Sequence, residues 1–216
     1  MNTNALESSG TTVRPGELPV GLGLAAVAIA LVTYEFVVKA WMAPGSAEGN
    51  ALAVAWPIFA LYVGSIGCAA LLAPRAVARV MRGQAPSRAF SLASLAGAGS
   101  GVAMYLAIGA GGIGADTMGF YWGGLALLWS GSIAMVYACR YVGKPLAVRD
   151  WTLYAVAMAL IPLTMIPSLP LWPLLFDLDP GQTLMTAGTS SFAAHMLLAH
   201  YVIFEILERR PRTGPR

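Results

Sequence analysis

Apolar residues fall in six long runs, at roughly 19–42, 52–73, 89–110, 119–139, 151–172 and 182–206, and most of the charge lies between them. Each run is close to the ~20 residues an α-helix needs to cross a hydrocarbon core of ~30 Å. The pattern predicts an all-α integral membrane protein with six transmembrane helices. The same pattern divides the chain into a disordered polar arm (1–18), a six-span membrane domain (19–208) and a basic tail (209–216).

The charges between the runs are not shared evenly. The segment from Pro74 to Arg88 carries Arg75, Arg79, Arg82 and Arg88, the next alternate one Arg140, Lys144 and Arg149, and the tail Arg209, Arg210, Arg212 and Arg216. The intervening segments hold Glu48, Asp116, Asp177 and Asp179. Lys39 is the single base on that side, so the positive-inside rule predicts both termini in the cytoplasm of a bacterial-type inner (plasma) membrane. With 57% hydrophobic and 11% charged residues, almost nothing is left for a separate soluble domain. The net charge of +3 then belongs with topology and anionic lipid rather than with nucleic acid. Residues 1–18 lack the basic-then-apolar order of a secretory signal, so the first span is expected to be retained.

Short turns are expected at Ala43–Asn50 and in the glycine-rich stretch before Asp116. The prolines at 162, 167, 170 and 173 are expected to break span 5 and send an irregular segment over the outer face. In span 3, Ser91, Ser94, Ala98, Gly101 and Tyr105 recur at steps of three and four, giving one face almost without bulk. Gly97 with Gly101, and Gly119 with Gly123, form the GxxxG spacing that lets membrane helices approach closely and is permissive of oligomers.

Candidate chemistry is sparse. Glu35 and Lys39 share a helix face, and Glu35 lies about 24 Å along the helix from Pro19, in the outer part of the bilayer. It is either half of an interfacial ion pair or a proton-titratable group. His195, His200 and Glu205 are the other ionisable groups that enter a span, and they join Glu35 as candidates for proton linkage. His195 and His200 are about 140° apart on one helix, so they cannot chelate one metal ion together. No nucleophile with an adjacent base, carboxylate pair, phosphate loop or metal spacing occurs, so neither an enzyme acting alone nor a cofactor nor a metal is expected. Cys68 and Cys139 lie in different spans and read as small hydrophobes.

Thr183, Thr186 and Ser190 give span 6 a hydroxyl face. With the small stripe of span 3, Tyr62 and Ser65 in span 2, and Ser130 and Ser132 in span 4, they either line a narrow neutral path or bond their own backbone.

Pro19-Val20-Gly21-Leu22 is similar to the Pro-Leu-Gly-Leu of the acetate uptake transporter family, although Gly16 and Glu17 stand where that family has Asn-Pro. Ile58-Phe59 to Leu71-Leu72 resembles its small-residue second span, Leu128-Trp129 with Gly131 its Leu-Trp-Gly, and Phe204-Glu205-Ile206-Leu207 its closing Gly-Glu-Val-Leu. Leu61-Tyr62-Val63-Gly64 and Trp151 to Pro162 also resemble stretches of the urea and short-chain amide channels.

These resemblances imply a six-span, homo-oligomeric channel or transporter, a hexamer in the first family, carrying a small monocarboxylate such as acetate passively or with a proton. Urea or a short amide is the alternative solute. They imply an aromatic constriction, for which Tyr34, Phe59, Tyr62, Tyr105, Trp129 and Tyr137 are the candidates by position, with Ser94, Thr186 and Ser190 as hydroxyl lining. The expected partners are thus a small solute, lipid and further copies of the chain. A non-catalytic subunit of a redox or metal enzyme complex, through His195 or His200, and a structural assembly subunit are the competing classes.

Overall fold

The computed structural model of the chain describes residues 16–34, 37, 47–110 and 115–208. Among these the protein is helical, with no strand. Helix α1 spans Glu17–Thr33, α2 Ala47–Met81, α3 Arg88–Ala110 and α4 Ala115–Tyr141. The fifth apolar run is split into α5 (Pro145–Ala159) and α6 (Pro162–Ser168), followed by the short α7 (Leu171–Phe176). Helix α8 (Pro180–Tyr201) continues as a π-helical stretch, Val202–Leu207. Among the described residues three helical segments are long and apolar enough to cross a membrane, namely Ala55–Met81, Pro145–Ser168 and Gln182–Leu207, and Leu18–Thr33 is a shorter apolar helix.

Two of the expected loops differ from the sequence reading. Residues 47–50, placed in a turn, begin α2 instead. The chain then leaves helical geometry at Ala55 (φ −118°, ψ 24°), two residues before Pro57. Proline removes a backbone donor and clashes with the carbonyl four residues back, so the kink takes the place of the expected gap. The segment after span 5 is likewise not irregular. Pro162 opens α6 and Pro170 immediately precedes α7, positions where the missing N–H costs a helix nothing.

Helices α2, α3, α4 and α5 each pack on the next, and α5 returns to α2, closing a four-helix bundle. Helix α1 lies against α2 and α6, and α8 against α5, α6 and α7. Two equivalent turns reverse the chain at one end of the bundle. At the end of α2, Gly83 (φ 75°) lets Gln84 N–H reach the Arg79 carbonyl (3.0 Å) and Gly83 N–H the Val80 carbonyl (3.0 Å). At the end of α4, Gly143 (φ 69°) does the same, with Lys144 N–H donating to Cys139 (2.9 Å) and Gly143 N–H to Arg140 (3.2 Å). Both are Schellman closures, which need a left-handed residue that glycine supplies without steric cost. Ser87 then caps α3 by accepting from Phe90 N–H at 3.2 Å.

Small residues fill much of the interior beside a few large ones such as Phe90, Ile66, Met104 and Ile133, and many large apolar side chains face outward. Ala69, Ala70, Ala73, Ala76, Ala155 and Ala159 are essentially fully buried, while Leu92, Leu127, Leu174 and Leu197 are each more than 65% exposed. In water such an exterior would be an aggregation hazard. In lipid, where no hydrophobic effect draws helices together, close approach through small residues is what holds a bundle.

At its N-terminus α8 carries a reciprocal cap. Asp179 accepts from Gln182 N–H at 2.8 Å, and Gln182 Oε1 accepts from Asp179 N–H at 3.3 Å, with Pro180 at the first helical position. Asp179→Ala should cost about 1 kcal/mol of α8 stability, read as faster limited proteolysis in the 177–182 segment with the rest of the fold unchanged.

Candidate solute cavity

A half-open cavity of ≈ 60 Å³ lies between the helices of the four-helix bundle, with walls from all four helices and the α5–α6 break. By the rule that one water needs roughly 10–15 Å³ of such space, it has room for about four waters or one solute of that size. Helix α2 contributes Tyr62 and Ile66, α3 the face from Gly97 to Val102, α4 Leu125, Ala126 and Trp129, and the broken stretch Met158, Ile161, Pro162 and Met165. None of these side chains is a carboxylate, amine, guanidinium or imidazole.

The glycines of α3 explain how two large rings fit there. A Cβ at position 101 would lie 3.0 Å from Tyr62 Cε2, and one at 97 would lie 2.9 Å from Trp129 Cη2. Each ring therefore rests directly on a glycine, and the Gly97/Gly101 pair admits aromatic side chains from two different neighbours. Gly123 has open space where a Cβ would be, so the second GxxxG is not packed within the chain at that position.

Pro162 shapes the fourth wall. With no N–H at 162, the chain tightens through Ile161 N–H to Met158 (3.3 Å) and Leu163 N–H to Leu160 (3.0 Å) before helix resumes. Non-helical backbone at membrane depth is tolerated where it is buried in protein or lines a cavity.

Most hydroxyls in the helices are satisfied by their own backbone. Ser100 bonds the Ala96 carbonyl, Ser132 that of Leu128 (2.9 Å), Thr152 that of Val148 (2.8 Å) and Ser190 that of Thr186 (2.8 Å). Ser190 thus follows the backbone-bonding alternative, and neither it nor Thr186 lines the cavity. Among the described residues three buried groups have no hydrogen-bond partner, namely Ser94 Oγ, Trp129 Nε1 and Thr183 Oγ1. Trp129 is a lining residue, and Ser94, fully buried, is one turn from Gly97 and Ala98 on the same face of α3.

Of the sequence candidates, Tyr62 and Trp129 meet at the cavity, and Ser94 lies beside it. Phe59 packs against the bundle core but is not among the lining residues. Tyr34 and Tyr137 are exposed on the outside of the bundle. Tyr105 lies on α3, one turn beyond Gly101. Glu35 and Lys39 fall outside the described residues.

His195 donates through Nδ1 to the Ser191 carbonyl (2.9 Å), with Thr164 Oγ1 3.4 Å away, and His200 Nδ1 is 3.3 Å from Tyr154 Oη. Both belong to the seam between α8 and α5–α6, apart from the cavity; half-buried Glu205 lies in the π-helical extension of α8 and does not line the cavity either. No group of three His, Cys, Asp or Glu residues able to hold a metal ion occurs among the described residues. Sequence reasoning did not identify Ala126, Ile161 and Met165 as lining residues. Pro162 was the one signal pointing toward that wall.

No family model, curated protein or solved structure matches the chain.

Proposed function

We propose that the protein is a membrane channel or transporter for a small, uncharged polar solute, read first as acetic acid. The observation that carries this reading is the uncharged, half-open cavity lined by the four helices, with Tyr62 and Trp129 on glycine seats. A space for about four waters suits a solute of four heavy atoms. With no cation in the wall, a bare carboxylate would lose hydration without gaining a partner, so the protonated acid is the form that passes. The same uncharged wall favours urea as the second reading.

In this proposal the six helical runs span a bacterial-type inner membrane with Arg82, Arg88, Arg140 and Lys144 on the cytoplasmic side and both termini inside. The open space at Gly123 offers a second copy of the chain a place to pack, in keeping with a homo-oligomer.

The test is stopped-flow light scattering on proteoliposomes, with empty vesicles subtracted because neutral acetic acid also crosses lipid. Protein-dependent acetate uptake should rise as pH falls, by nearly tenfold per unit while pH stays above the carboxylic range of about 4–5, because only the protonated fraction grows. It should also carry no current. A current-carrying acetate flux independent of pH would refute the neutral-acid mechanism. Urea uptake without acetate uptake would transfer the assignment to an amide channel. Neither solute exceeding empty vesicles, in a folded preparation, would leave an assembly subunit as the function.

A further inference from the structure

We infer that Arg75 and Arg79 of α2, with Arg82 in the turn that ends it, bind the headgroup phosphate of an anionic phospholipid. The inference rests on the reading of the chain as a membrane protein and is independent of what passes through the cavity.

Arg75 and Arg79 are half-buried, and their positions four apart place them on one face of α2. Arg82 N–H continues the turn by donating to the Arg79 carbonyl at 3.0 Å. Arg79 Nε donates to the Ala85 carbonyl at 2.9 Å, which fixes the guanidinium and leaves its two outer nitrogens for an anion. Like charges so placed repel, and a phosphate between them replaces repulsion with charge-assisted hydrogen bonds.

The protein brings few acids of its own to this end. Ala85 of the α2–α3 turn packs against Val136, Cys139 and Val148 beside the α4–α5 turn, so the bases of both turns gather there. Segments 74–88 and 140–150 hold one carboxylate, Asp150, and it pairs with Arg149 at 2.7 Å. Glu205 and Glu208 end the chain of α8, which packs on α5, α6 and α7. Glu17, at the start of α1, can neutralise only one of the three arginines.

Depth selects a lipid over a soluble anion. Trp56, 65% exposed just past the kink of α2, takes the interfacial position that tryptophan prefers. Arg75 lies about 29 Å further along the helix, close to the ~30 Å of a hydrocarbon core, and so at the phosphates of the opposite leaflet. Exposed Met81, Tyr141, Val142 and Leu146 at the same end offer apolar surface to acyl chains. With Asp150 already paired, these turns leave no carboxylate for the ammonium of a choline or ethanolamine headgroup, so a lipid with net negative charge is favoured.

The test is native mass spectrometry of the detergent-purified protein mixed with equal amounts of phosphatidylglycerol and phosphatidylcholine. Wild type should retain phosphatidylglycerol in preference by roughly fivefold or more, and Arg75→Gln/Arg79→Gln should bring the ratio to within about twofold of parity. Arg210→Gln/Arg212→Gln removes the same charge from the tail and should keep the preference. If the α2 double variant does not fold, Arg82→Gln, at an exposed position, should lower the ratio at least about twofold. No preference in wild type, or equal loss in the tail variant, overturns the site. Displacement of the lipid by excess inorganic phosphate would make it a site for a soluble anion instead and also overturns it. A chain that stays soluble without detergent would remove the membrane reading and the site with it, whereas a detergent-requiring protein that holds no phosphatidylglycerol removes the site alone.

Discussion

Gly21→Ala should loosen α1 from the bundle, at a cost of about 1–3 kcal/mol, whereas Gly23→Ala, two residues along the same helix, should be neutral or stabilising by up to ~1 kcal/mol. The contrast comes from what a methyl group would meet. At Gly21 a Cβ would collide with the Leu71 carbonyl oxygen of α2, and it would sit 3.2 Å from that carbonyl carbon. Backbone of a packed helix cannot rotate out of the way as a side-chain tip can, so α1 has to move. At Gly23 nothing lies within 4 Å, so alanine only removes the conformational freedom of glycine. The measurement is thermal unfolding of the detergent-solubilised variants, together with protection of a single cysteine introduced at Ala28, which is 1% exposed. Equal stability of the two variants would show that α1 does not dock on α2 through Gly21.

How far these features were legible in the sequence depends on which physical signal wrote them. Helix existence was readable because each apolar run had the length of a span, and the described part of every run is helical apart from short breaks. The break in span 5 was readable at Pro162, since a missing donor acts locally. The helical form of residues 162–176 was not, because proline is as compatible with the first turn of a new helix as with a loop, and only packing against α1 and α8 decides. The start of α2 was misplaced for the reverse reason. Glu48, Gly49 and Asn50 look like a turn by composition, yet they extend a helix that is kinked just ahead of Pro57.

The cavity was half legible. Tyr62 and Trp129 stood out as aromatics beside small residues, and the Gly97/Gly101 spacing marked a face without bulk. Which ring rests on which glycine depends on the axial register of α2 and α4 against α3. Nothing in the sequence of one helix encodes that register. Hydropathy is nearly even around α3 and could not separate its inward from its outward face; only the spacing of small residues set Ser94 apart from Ser100, and it said nothing of their hydrogen bonds. The structure separates them through their hydrogen bonds, since Ser100 Oγ reaches the Ala96 carbonyl and Ser94 Oγ reaches nothing.

Ala126→Leu should stop solute flux while leaving the protein at least as stable as wild type. Ala126 is a half-buried lining residue on α4, one turn before Trp129, so a larger side chain there projects toward the space between the four helices. Leucine adds three carbon atoms to a cavity with room for about four waters, which leaves no passage for acetic acid or urea. Filling an existing cavity commonly adds about 0.5–2 kcal/mol, so loss of flux would not be a consequence of unfolding. Ala134→Leu is the control, because Ala134 is exposed on the same helix and its added carbons face outward. The expected result is at least a tenfold fall in protein-dependent urea and acetic acid flux for Ala126→Leu, with an unchanged or higher unfolding temperature, and flux within twofold of wild type for Ala134→Leu. Flux preserved in a stable Ala126→Leu protein would place the path outside this cavity, and flux lost equally in both variants would point to a helix surface rather than an interior route.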